Sequence, residues 1–109
     1  MSRRSDELYL DDIAEAAAHI AEFLRGVDEP AFRDSELIRS AVLQKLSVIG
    51  EAAARMSETG RQARPNVPWR DVVAFRNIAV HAYFAVDWGI VWYTATVDVV
   101  ALRAAIGAR

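Results

Sequence analysis

The chain has 109 residues, of which 53% are apolar and 26% charged, with a formal net charge of −2. That is the size and balance of one soluble domain with one core, and partner-assisted burial would add to a core this modest. No cysteine is present, which excludes disulfides and thiolate metal sites and fits a reducing, cytoplasmic setting.

Charge is unevenly placed. Residues 1–36 carry ten acids against four arginines, and the remainder nine basic residues against five acids. Arg55, Arg61, Arg64, Arg70 and Arg76 fall close together with only Glu58 and Asp71 among them, so a local positive field for a phosphate backbone competes with a solvated arginine-rich loop. Asp6 and Glu7 stand where a signal peptide needs its apolar stretch. The least charged run, Asn77 to Val97, is interrupted by Asn77, His81 and Asp87, and is expected in a core or interface, not in a membrane.

In chain order, the first predicted helix spans Ser5 to Leu24. Tyr9, Ile13, Ala16, Ala17, Ile20, Phe23 and Leu24 form its stripe, Ser5 is its expected N-cap and Gly26 its end. His19 falls on the polar face beside Glu15 and Glu22 and is expected to be solvated, as is the Asp11, Asp12 and Glu15 cluster. After a turn at Asp28-Glu29-Pro30 comes a second helix from Ser35 to Met56, with Ile38, Val42, Leu46, Ile49, Ala53 and Met56 inward. Gly50, inside that helix, costs about 1 kcal/mol relative to alanine. The expected return is close approach of another backbone.

Gly60 closes the second segment, and a loop with Pro65 and Pro68 follows. The third helix runs from Pro68 to Val80, and Pro68 suits its first turn. The fourth runs from Val86 to Ile106, with Ile90, Tyr93, Val97, Val100, Ala101 and Ala104 at helical spacing. Its β-branched and aromatic residues make a strand the competitor, but its length without interior glycine or proline from Ile90 to Ile106 favours helix. Trp88, Trp92 and Tyr93 read either as core or as a partner surface. The expected architecture is an all-α antiparallel bundle of four to five helices, forming a single domain that dimerises.

The chain lacks a glycine-rich phosphate loop and a hydrolase nucleophile elbow. Its two histidines, His19 and His81, sit on separate helices, so no helical two-histidine metal pair exists. Chemistry is left to Arg76-Asn77-Ile78-Ala79-Val80-His81-Ala82-Tyr83. Residues five apart are about 140° apart around an ideal helix, so Arg76 and His81 do not share a face. They meet in one chain only through distortion, or across a two-fold axis that brings the same segment from both subunits together.

The stretch resembles the HEPN ribonucleases, whose pattern is Arg-x4-His, and specifically their HepT-like form, Arg-x4-His-x-Tyr. Tyr9 to Ile13, Val48 to Ala53, Pro68-Trp69-Arg70, Phe75-Arg76-Asn77, His81 to Phe84 and Val86-Asp87 resemble the same family in order and spacing. Ala82 departs from it, standing where a charged residue or glycine is more usual. The resemblance implies a HEPN-like fold and a homodimeric, metal-independent endoribonuclease without cofactor, the toxin of a toxin–antitoxin pair. Arg76 and His81 would be catalytic, Asn77 supporting, and Tyr83 the residue to which a cognate nucleotidyltransferase antitoxin attaches AMP. Two other classes stay open: a non-catalytic helical module that docks such a nucleotidyltransferase, and a nucleic-acid-binding regulator.

Overall fold

The computed structural model describes residues 3–81, 87–107 and 109, and of residues 3, 4 and 79–81 the backbone alone. Every regular element among the described residues is helical: α1 (Arg3–Phe23), α2 (Glu29–Asp34), α3 (Glu36–Arg55), α4 (Glu58–Gln62), α5 (Trp69–Val73), α6 (Phe75–His81), α7 (Trp88–Tyr93), a π-helical turn (Thr94–Asp98) and α8 (Val99–Ile106). The all-α expectation holds. The four predicted helical segments are present as α1, α3, α5–α6 and the run from α7 to α8, with the short capped helices α2 and α4 added in stretches expected to be turn or loop.

The frame is α1 laid against α3. Leu10, Ile13, Ala16, Ala17 and Ile20 on α1 meet Val42, Leu43, Leu46, Ile49 and Ala53 on α3, all buried. Asp6 near the start of α1 reaches Ser57 just past the end of α3, so the two run antiparallel. At the other end of the chain Arg109 binds Glu7 and Asp11 of α1, which lays α8 antiparallel to α1.

Local sequence explains most boundaries. Ser35, expected only as the first residue of the second helix, caps α3 by accepting from the Ile38 N–H, and Gly26, the expected end of the first helix, takes φ +71° after α1. Three expectations need correction. Ser5 lies inside α1, which starts at Arg3. The Asp28-Glu29-Pro30 turn is the start of α2, with Asp28 capping the Ala31 N–H. Gly60, expected to close the second helical segment, sits within α4, whose cap is Ser57. His19 is also not a solvated surface residue: it is partly buried, stacks on Phe23 at 6.1 Å between centroids, and its Nδ1 has no hydrogen-bond partner among the described residues.

The final helical run carries the largest correction. Its inward residues are Val91, Ala95, Val99, Leu102 and Ile106, whereas Ile90, Tyr93, Val97 and Val100 are exposed. Two successive steps of four residues drift by about 80° on a regular α-helix. The wider π turn at Thr94–Asp98 takes up that drift and keeps Val91 and Val99 on one face. This run, Trp88–Ile106, is long and apolar enough by length and composition to cross a membrane, yet its inner face belongs to the bundle core. Trp88 and Trp92 pack around the fully buried Phe32, with centroids at 6.1 and 5.4 Å, and Arg39 lies over the Trp88 ring at 4.9 Å. Only Tyr93 of the three aromatics faces outward.

Candidate functional site

Arg76 and His81 both belong to α6, a short helix that starts after a break at Ala74. The expected single helix from Pro68 to Val80 is therefore two: the Asn77 N–H bonds back to Ala74 O at 2.9 Å as α6 begins. Because α6 is α-helical, positions 76 and 81 stand about 140° apart around its axis. Asn77 is exposed. The side chain of His81 and the whole of Tyr83 and Ala82 lie outside the described residues.

What seats Arg76 is α3. An added Cβ at Gly50 would lie 2.5 Å from Arg76 N, 2.8 Å from Arg76 Cβ and 3.0 Å from Val73 O. Glycine is required there because the α6 backbone occupies the space of a side chain, which bears out the expected close approach. One residue on, Glu51 Oε1 accepts from Arg76 Nη1 at 3.4 Å. Glu51 also lines a surface groove of about 290 Å³ between α1 and α3, with Tyr9, Asp12, Gln44, Ser47 and Arg55 on its walls. Glu51 was not singled out from sequence as a partner of Arg76. Its place beside Gly50 was the available signal.

The arginine cluster divides once it is folded. Arg61 donates to Ala53 O and Ala54 O at 3.2 Å each, and Arg64 to Ile106 O at 3.0 Å. These two cap the carbonyl ends of α3 and α8, where a cation also suits the helix dipole. Neither a continuous phosphate-binding field nor a purely solvated loop describes them. Arg55 and Arg70 are exposed and Arg76 is partly so.

Asp6, in the first turns of α1, is buried and accepts from Ser57 N at 2.8 Å and from Ser57 Oγ. The side-chain and then the backbone hydrogen bond from Ser57 hold its carboxyl below the usual carboxylate range, against desolvation. Asp98 moves the other way, raised by burial and then by Asp71, with which it lines a second groove beside α5. Asp11, Asp12 and Glu15 are exposed, and Asp11 is held by Arg109 at 2.9 Å, so they read as a solvated face with one structural tie.

Residues 13–108 match the family described as Ribonuclease HepT-like. The chain belongs to the HepT-like ribonuclease family. Among its relatives is "Putative RNase MJ1380" of Methanocaldococcus jannaschii, 38% identical over 99 residues that cover 91% of each chain. "Probable ribonuclease HepT" of Thermococcus cleftensis is 36% identical over 101 residues, covering 93% of this chain and 92% of the relative. "Gamma-glutamylcyclotransferase and putative RNase MJ0434", also of Methanocaldococcus jannaschii, is 29% identical over 101 residues that make up 46% of its length. No solved structure matches the chain. As a HepT-like ribonuclease, the chain is an RNA-cleaving enzyme whose family match takes in Gly50, Glu51 and all of α6.

Proposed function

We propose that this HepT-like ribonuclease is a metal-independent endoribonuclease toxin, acting in the cytoplasm through Arg76 and His81 in a cleft composed by two copies of the chain. The observation that carries this reading is the seating of α6. Its arginine is fastened to α3 by Gly50 and Glu51, while the histidine position stands on another side of the same short helix. A two-fold contact is the simple way for such a pair to face one phosphate, each chain supplying the part the other turns away.

The exposed apolar stripe Ile90, Tyr93, Val97 and Val100 supports an assembly of this kind, since a monomer gains nothing by leaving it in water. In cleavage the ribose 2′-hydroxyl attacks the adjacent phosphorus, the P–O5′ bond breaks, and a 2′,3′-cyclic phosphate and a 5′-hydroxyl result. One proton leaves the 2′-oxygen and one reaches the 5′-oxygen. Histidine, with an ordinary pKa of about 6.5, handles either transfer near neutral pH, and a two-fold site holds a second His81 for the other. Arg76 stays charged and presents a planar fork to the phosphate oxygens. Asn77 orients the site through its amide. AMP attached to Tyr83 by a cognate nucleotidyltransferase antitoxin would set negative charge and bulk beside His81, where substrate phosphate has to bind.

The test is cleavage of total cellular RNA with excess chelator by wild type, Arg76→Ala and His81→Ala, alongside sedimentation of each. The expected result is cutting by a wild-type dimer and none by the two variants, which stay dimeric. Undiminished cutting by both variants would refute these roles. An inert wild type with no AMP on it by intact mass would favour the docking module instead.

A further inference from the structure

Glu51 and Arg76 come from different helices and meet at 3.4 Å, each about half exposed (50% and 41% for the side chains). An ion pair in that setting adds little to folding because water screens it. Its effect is on direction. The Arg76 backbone is seated at Gly50, and Glu51, the next residue of α3, engages Nη1 at the far end of the same side chain. A long flexible stem is thereby held at both ends. The guanidinium is a planar fork of donors, and contact at Nη1 leaves the rest of the fork for another anion. Glu51 lines the groove between α1 and α3, whose walls also carry Asp12 and Arg55, and Arg76 reaches that groove through its contact with Glu51.

We infer that Glu51 is a positioning residue, holding the Arg76 guanidinium beside the α1–α3 groove so that an RNA phosphate meets its free donors. This rests on the ribonuclease reading of Arg76 given above. Bystander electrostatics predicts the opposite sign. A carboxylate near a polyanion repels it, so deleting an idle Glu51 would tighten RNA binding and speed cleavage of dilute RNA. Deleting a positioning Glu51 lets the fork wander, and misplacement by about 1 Å costs up to about 100-fold in rate.

The experiment measures kcat and KM on one defined RNA for wild type, Glu51→Ala, Glu51→Gln, Arg76→Ala and the Glu51→Ala/Arg76→Ala double variant. Glu51→Ala is expected to lose about 10- to 100-fold in kcat with KM unchanged or lower and an unshifted thermal midpoint. Glu51→Gln, whose amide oxygen still accepts from Nη1, recovers most of the rate. Once Arg76 is gone, losing Glu51 costs nothing more. Glu51→Ala cutting as fast as wild type or faster, a defect confined to KM, or an equal loss without Arg76 would each overturn the inference while leaving the nuclease intact. Wild type and Arg76→Ala cutting alike would remove the reading of Arg76 itself, and this inference with it.

Discussion

Gly50→Ala sets two physical effects against each other. Inside a helix alanine is favoured over glycine by about 1 kcal/mol, so on propensity alone the variant is more stable. The new methyl, however, arrives 2.5 Å from Arg76 N and 3.0 Å from Val73 O, both backbone atoms that cannot swing away. To restore a separation of 3.4 Å, α3 and α6 must part by about 0.9 Å. Overpacking of this kind costs about 1–3 kcal/mol, which outweighs the propensity gain and leaves a net loss of up to about 2 kcal/mol. In a domain of this size each kcal/mol lowers the thermal midpoint by about 4–8 °C. The same displacement carries Arg76 away from its seat, so cleavage falls by up to about 100-fold even where the protein remains folded. Thermal melts and RNA cleavage below the transition read both effects. A Gly50→Ala protein that melts higher than wild type and cuts as fast would refute the close approach and the way Arg76 is seated.

Two further predictions concern the carboxylates. Asp6→Ala loses both hydrogen bonds from Ser57 and is expected to cost about 2 kcal/mol at neutral pH by urea denaturation. Because Asp6 is held below its unfolded pKa, its contribution is complete above the unfolded value of about 3.9 and is lost as pH falls through the folded value, so wild type and variant converge in acid. Asp98 has the opposite sign: burial and Asp71 raise its pKa, so the stability linked to it is present below the unfolded pKa and lost as pH rises through the folded one. Asp98→Asn should therefore melt about 1–4 °C higher at neutral pH, with the gain fading in acid, and a lower melting point at neutral pH would contradict this.

Some of this protein was legible along the chain. Inward spacing on α1 and α3 comes from one apolar face opposite a charged one, so Ile13, Ile20, Leu46 and Ile49 were identifiable without a partner helix in view. Gly26 acts through its own backbone torsion, which is why its role as the end of the first helix could be read locally. The order of Gly50, Arg76 and His81 resembled one family before any contact was known, and the family match agrees with it.

Other features depend on which surfaces meet. The last helical run is apolar on both sides, so periodicity cannot choose between Val91, Val99 and Leu102 and the outward Ile90, Tyr93 and Val97. Packing against the rest of the bundle chooses, with the π turn absorbing the mismatch. Arg61, Arg64 and Arg76 look equivalent in sequence, yet folding sends two to helix-end carbonyls and one to Glu51. Asp6 and Ser57 are 51 residues apart, as Glu51 and Arg76 are 25, and no local rule pairs them. A residue type and its helical phase determine what a side chain can do; only the approach of a second element determines which atom it does it to.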